Sequence, residues 1–218
     1  MNNPKLHGIK VLIWDFDGTL YRQQPALWDA IRASEIRVIM NHTGWTEEKA
    51  KEAFYNIYKV TTPSGTKTVS QLANITNQES STESAVYVDY AGYLFPDPKL
   101  AALFSSLSSY THYLLVNGTQ ASVAKGLSLL GVRASVFAEI VTSELMGDSK
   151  PSPKGYEYIM KHTGLPASSH LMIGDREPVD LATAKTLGMH TCLVWSDTPG
   201  AIAEITVPTV YDVANVLG

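Results

Sequence analysis

The sequence predicts a doubly wound α/β fold, a parallel sheet with helices on both faces, interrupted after its first strand by an all-helical insertion. Three observations lead there. The apolar run at residues 9–14, Ile-Lys-Val-Leu-Ile-Trp, stops abruptly at two carboxylates and Gly18, which is how a short buried strand reads. Residues 21–93 then carry helical periodicity with no second convincing buried strand. From Pro96 onward strands and helices alternate, and repeated units of that kind close through right-handed crossovers into a parallel sheet.

The totals agree with one domain carrying an insertion, or two modest domains. A chain of 218 residues has ample surface to bury, and 44% hydrophobic with 17% charged residues is the composition of a soluble globular enzyme. A net charge of -4 gives no general attraction for nucleic acid or an anionic membrane. Any anionic substrate must therefore be met by a local site. The single cysteine, Cys192, precludes an internal disulfide and suits a reducing cytoplasm; within Thr-Cys-Leu-Val-Trp it reads as a small core residue rather than a reactive thiol. No secretory leader is legible and no run reaches the roughly 18 apolar residues of a membrane span. The expectation is a cytoplasmic protein without nucleic-acid or membrane partners.

In the first strand Ile9, Val11 and Ile13 alternate with Lys10, Leu12 and Trp14, so Asp15 and Asp17 stand at its carboxyl end, where open parallel sheets bind ligands. A two-residue spacing on extended backbone sends both carboxylates to one side, and Gly18 lets the chain turn away. Two acids so placed are costly unless a cation joins them or one holds a proton; an Asx turn is the ordinary alternative. Pro25 opens a helix through Leu27, Ile31 and Val38 that Gly44 closes. Thr46 caps the next, with Glu47 and Glu48 at its positive end and Ala50, Phe54 and Ile57 as its stripe. Thr61 to Thr68 predicts a loop, Val69, Leu72 and Ile75 a short helix, and Thr76 to Ser84 a turn or linker. Trp28, Trp45, Tyr55 and Tyr58 fall at helical spacing and read as core of the insertion more than as substrate platforms.

Asp97 and Pro98 then start the strongest helix, with Leu100, Leu103, Phe104 and Leu107 on one face. After it come a strand at 112–117, a helix at 119–130 ended by Gly131, a strand at 139–142, a helix at 153–163 capped by Ser152 and ended by Gly164, a strand at 170–174, a helix at 178–187 ended by Gly188, and a strand at 190–195. Chemistry recurs where these strands end. Val116-Asn117-Gly118-Thr119 precedes a helix whose first N–H groups can receive a phosphate oxygen, although Thr119 can equally be a plain N-cap. Asp148-Ser-Lys150-Pro-Ser-Pro offers a compact positive charge able to offset carboxylates. Gly174-Asp175 has a further acid, Asp180, five residues on. Hard oxygen donors at two strand ends suit Mg²⁺.

Asp15-Phe-Asp17-Gly-Thr19-Leu resembles the first motif, Asp-x-Asp-x-Thr, of the haloacid dehalogenase superfamily of phosphohydrolases. Lys150-Pro-Ser-Pro matches its third motif, and Gly174-Asp175 with Asp180 matches its fourth, Gly-Asp-x-x-x-x-Asp. The second motif departs: Val116 stands where the family has Thr or Ser ahead of Asn-Gly. The resemblance implies a Rossmann-like catalytic core at 1–20 and 94–218 and a type 1 helical cap at 21–93. It implies Asp15 as nucleophile, Asp17 as acid/base, and Lys150 with Asn117, Gly118 and Thr119 holding the phosphoryl group. It implies Mg²⁺ on Asp15, the backbone carbonyl of Asp17 and Asp175, with Asp180 orienting a ligand water or positioning Lys150. In the insertion, Gly65-Thr-Lys-Thr with Leu72, and then Tyr93-Leu-Phe-Pro-Asp-Pro, look like the branch containing pyrimidine 5'-nucleotidases. The activity expected from the resemblance is Mg²⁺-dependent hydrolysis of a small phosphomonoester, a nucleoside monophosphate or phosphosugar, through an aspartyl-phosphate. A phosphomutase of the same architecture is the rival, and Val116 keeps open a feeble member acting as a binding or regulatory module. The hydrogen bond lost at Val116 to a charged group is worth about 1.5–3 kcal/mol, unless Asn117 or Thr119 replaces it.

Overall fold

The computed structural model describes residues 5–60 and 64–218. Its centre is β1 (Val11–Trp14), whose four residues are all buried. A strand apolar on both faces must be covered on both, and β1 lies between two others, in parallel with each: Val11 faces Thr111 of β2 (Thr111–Val116) on one side and His170 of β4 (His170–Gly174) on the other. Beyond them run β3 (Glu139–Thr142), β5 (His190–Leu193) and β6 (Ile205–Thr206), giving the order β3-β2-β1-β4-β5-β6 with every pairing parallel. All carboxyl ends therefore open on one edge. Alternation divides the core. Trp14, Leu114, Val116 and Ile173 face one layer, while Ile13, Tyr113, Leu115 and Met172 face the other.

The segment after β1 is helical, as its periodicity predicts: α1 (Pro25–Thr43), α2 (Glu47–Val60), α3 (Gly65–Ala73) and α4 (Asn77–Val86). Ile36, Val38, Ile39, Ala50, Phe54, Val69 and Ala73 form a small core of their own. Two readings in it are corrected. Gly65 to Thr68, expected as loop, is the first turn of α3, because Ser64 caps it by accepting the Lys67 N–H and buries Thr68 against its backbone; residues 61–63 of that expected loop lie outside the described residues. Thr76 to Ser84, expected as a linker, is largely α4. It has no apolar stripe to betray it. What holds it is a capping box between Thr76 and Glu79 and serine hydroxyls that bond backbone carbonyls, Ser80 to Thr66 and Ser81 to Asn77.

After a 3₁₀ turn at Tyr90–Gly92, α5 (Pro98–Ser106) begins at the Asp97 cap as expected, and α6 (Gln120–Leu129) follows β2. A short α7 (Ser143–Met146) after β3 and the two-residue β6 went unread because each is too brief to show a period. α8 (Lys154–Thr163) is capped at Pro153, one residue later than the Ser152 expected. The expected helix at 178–187 starts with a π turn at Glu177–Leu181 before α9 (Ala182–Thr186), and the strand expected to reach 195 stops at Leu193. Cys192 is fully buried in β5, where burial pushes its thiol up to about 12, so it is a core residue. Among the described residues no helix is long and apolar enough to cross a membrane.

Candidate active site

Asp15 leaves β1 at its carboxyl end, and Gly18 then turns the chain with φ +84°. A side chain there would be strained and would also collide with Asp175 across the gap, since a Cβ on Gly18 would lie 2.5 Å from its Oδ2. Gly174 does the same for Asp180, with a Cβ position 2.5 Å from that residue's own Cβ. Those two glycines let three carboxylates close up. Oxygen atoms of Asp15, Asp175 and Asp180 all lie within 4.8 Å of one another.

Lys150 is driven into this acidic cluster from the loop before α8. Its Nζ donates to Asp15 Oδ1 at 2.6 Å and to Asp180 Oδ1 at 2.7 Å, with all three residues buried. Burial pulls the ammonium's pKa down, but the two carboxylates outweigh it and hold the group charged above its usual range. Asn117 supports this lysine from just beyond β2: its Oδ1 accepts the Lys150 N–H at 2.7 Å and its Nδ2 donates to the Lys150 carbonyl at 3.0 Å. The Asn117 side chain is thereby committed to bracing Lys150. The Thr119 hydroxyl is likewise engaged, capping α6 through Ser122. What Asn117, Gly118 and Thr119 offer an incoming anion is thus chiefly backbone.

Asp180 uses both oxygens, Oδ1 on Lys150 and Oδ2 on the Arg176 N–H at 3.0 Å. That is the arrangement of a brace. Among the described residues no cation pairs directly with Asp175; burial, then Asp180 and Asp15, outweigh the more distant charges of Arg176 and Lys150 and push its carboxyl up to about 8. A carboxyl this reluctant to ionise beside Asp15 is what a divalent cation would relieve, and a set of carboxylate oxygens fits a hard cation of the Mg²⁺, Ca²⁺ or Mn²⁺ kind. Thr19, fully buried, donates to Asp15 Oδ2 at 3.0 Å and orients it.

Asp17 stands slightly apart. Tyr21 donates a hydrogen bond to its Oδ1, and the Tyr90 hydroxyl lies 3.5 Å from Oδ2. Burial raises its carboxyl, the Tyr21 hydrogen bond pulls it back and the Asp15 charge raises it again, leaving it at about 6. A carboxyl poised there can both give and take a proton near neutrality. Neither tyrosine was legible as a site residue, because Tyr90 reaches Asp17 from 73 positions away and Tyr21 gives no pattern beyond following the motif. Arg176, next to Asp175, also escaped notice: Asp180, Asp175 and Asp15 keep it charged against the cost of burial, and its guanidinium lies 5.6 Å from the Trp28 ring of α1.

The profile of the haloacid dehalogenase-like hydrolases matches residues 9–188. The chain belongs to that family. This haloacid dehalogenase-like hydrolase is 27% identical over 193 residues to phosphoglycolate phosphatase of Rhodospirillum rubrum, covering 83% of this chain and 77% of the relative. It is 40% identical over 55 residues to glyceraldehyde 3-phosphate phosphatase of Methanocaldococcus jannaschii, a match confined to 25% of this chain and 24% of that one. In fold it resembles the haloacid dehalogenase phosphatase of Thermococcus onnurineus, with a TM-score of 0.64 at 19% identity over 96% of this chain and 98% of that one.

Removing the Tyr21 hydroxyl tests its hold on Asp17. The bond stabilises the ionised carboxylate, so Tyr21→Phe is expected to raise the Asp17 pKa by about one pH unit. If Asp17 acts first as an acid, kcat/KM falls as pH rises through its pKa, and in the variant that fall moves to higher pH. A fall that stays in place, or moves lower, would show that Tyr21 has no such role.

Proposed function

We propose that this hydrolase is a Mg²⁺-dependent phosphatase of small phosphomonoesters that works through an aspartyl-phosphate on Asp15. Its enzyme class, a phosphoric monoester hydrolase, follows from the family and from two relatives that are phosphatases. The observation that carries the mechanism is the meeting of Asp15, Lys150, Asp175 and Asp180 at one sheet edge, with Asp17 beside them under its own hydrogen bonds.

In the first step an oxygen of Asp15 forms a bond to phosphorus while the bond from phosphorus to the ester oxygen breaks, and Asp17 passes its proton to that departing oxygen. In the second, Asp17 takes a proton from water as the water oxygen attacks phosphorus, the bond from phosphorus to Asp15 breaks, and inorganic phosphate leaves. Lys150, fixed by Asn117 and Asp180, holds positive charge against Asp15 throughout. The carboxylates of Asp15 and Asp175 and the carbonyl of Asp17 would hold the metal, which supplies charge neutralisation on the transferring group.

Helices α1 to α4, residues 21–93, would serve as a cap over this edge. Polar contacts support that role: Ser64 meets Ser149 at 2.8 Å, Ser81 meets Ser143 at 2.8 Å and Lys67 pairs with Asp148 at 3.1 Å. Such contacts are individually weak, as an opening lid requires. The test is turnover of an aryl phosphate with Mg²⁺ and with a chelator. Turnover that disappears on chelation and returns with Mg²⁺ is expected; equal rates would refute the metal. Release of free phosphate, with no transfer to a second hydroxyl of a bisphosphate-primed sugar phosphate, would separate phosphatase from phosphomutase.

Val116 is buried in the core layer under α6, and neither Asn117 nor Thr119 has a side chain to spare. Val116→Thr is therefore expected to raise kcat about tenfold or more by restoring one hydrogen bond to the phosphoryl group. A decrease in kcat with the protein still folded would mean that the valine is part of a rearranged site.

A further inference from the structure

A small cavity of about 70 Å³ lies between the sheet edge and helices α1, α3 and α4. Asp17, Asn117 and Gly118 form its floor, and Glu35, Thr66 and Ser84 lie toward its roof. Since Asp17 is the group that protonates the departing oxygen in the mechanism above, whatever hangs from that oxygen must enter this space. Three features describe the occupant. The cavity holds only two or three waters' worth of volume at about 30 Å³ each, far below the roughly 300–1,000 Å³ of sites for larger organic ligands. Two of the described residues that line it are acids and none is a lysine or arginine. And one polar atom awaits a partner: Ser84 Oγ is sealed from solvent without a hydrogen bond, whereas the neighbouring hydroxyls of Ser34 and Ser81 are spent on the Ile31 and Asn77 carbonyls.

Glu35 is held in place. Arg32, one helical turn before it, hydrogen-bonds its Oε2, and the Arg32 guanidinium lies 4.3 Å from each of the Trp28 and Tyr58 rings. The arginine is thus occupied with its own partners, and it is the carboxyl that lines the cavity.

We propose that this cavity is the leaving-group subsite, and that the substrate is the monophosphate of a short uncharged polyol or hydroxy-aldehyde of roughly two or three carbons, whose hydroxyls bond Ser84 and Glu35. This rests on the phosphatase reading and narrows it. A carboxylate in the same place would face Glu35 and Asp17, while the nearby guanidiniums of Arg32 and Arg176 lie outside the lining and already offset these acids. A nucleoside is too large for it and would have to extend past Ala85, Val88 and Tyr90, which also line a wider surface groove of about 480 Å³.

The experiment compares kcat/KM, with Mg²⁺, for glycerol 3-phosphate, 2-phosphoglycolate, a nucleoside 5'-monophosphate and an aryl phosphate, in the natural protein, Ser84→Ala and Glu35→Gln. Glycerol 3-phosphate is expected to exceed phosphoglycolate and the nucleotide by about tenfold or more. Ser84→Ala removes no bond made within the protein, so it should fold normally. It is expected to lower the ratio of glycerol 3-phosphate to aryl phosphate turnover several-fold, through KM. Glu35→Gln should narrow the gap to phosphoglycolate. Preference for phosphoglycolate or the nucleotide, or an unchanged ratio in Ser84→Ala, overturns the subsite while metal-dependent aryl phosphatase activity leaves the parent reading intact. Absence of turnover on every ester overturns both.

Discussion

Asp15→Asn is expected to abolish turnover, with kcat falling by about 10⁴-fold or more, the order seen when a catalytic nucleophile is removed from a covalent mechanism. An amide of the same shape cannot attack phosphorus, while the packing around it changes little: Thr19 can still donate to the remaining carbonyl oxygen and Lys150 keeps Asp180. The replacement also removes one of the negative charges that push Asp175 up. The variant should therefore remain folded, and metal-free Asp175 should ionise more readily. Steady-state kinetics with circular dichroism would check both halves. A folded variant retaining a tenth of the activity would exclude Asp15 as nucleophile.

Lys150→Met is the second large effect, and it falls on stability as well as on rate. Lys150 is 3% exposed and bridges two buried carboxylates. Without it, Asp15 and Asp180 keep their burial and lose their cation, and removing one partner from such a buried ion pair costs about 3–5 kcal/mol. The loss should depend on pH in a definite direction. With the ammonium gone, Asp180, already raised by burial, loses the charge that pulls its carboxyl back down, so its folded pKa rises further and the folded state binds more protons than the unfolded one. The deficit is then expected to be smallest in acid and to grow as pH rises through the raised pKa of Asp180. Denaturant unfolding at pH 5 and pH 8 would measure it. A variant as stable as the parent at both would mean the bridge contributes nothing net.

Much of this site was legible because its chemistry lies on backbone that sequence reads well. Asp15, Asp175 and Lys150 each follow or face the end of a strand with continuous apolar character or a proline-marked helix start, and a parallel sheet brings such ends together. The polar parts were harder. α4 holds its shape by a capping box and serine-to-carbonyl bonds, so hydrophobic periodicity had nothing to report, and the polar run looked like a linker. Tyr21, Tyr90 and Ser84 are ordinary residues until the chain folds; only the meeting of the 3₁₀ turn at Tyr90–Gly92 with the end of β1, and of α4 with α1, gives them a role. Asn117 shows the reverse. Its place after β2 is plain in the sequence, yet its side chain is turned to the Lys150 backbone rather than left free for a ligand.

The central claim is a covalent bond between Asp15 and phosphorus. Acid quenching of the protein during Mg²⁺-dependent turnover of glycerol 3-phosphate or an aryl phosphate, followed by peptide mass spectrometry, tests it most directly. The account predicts a phosphoryl group on Asp15 that hydroxylamine removes. Sustained turnover with the label on another residue, or with none trapped even in a variant at Asp17 slowed in the second step, would contradict it.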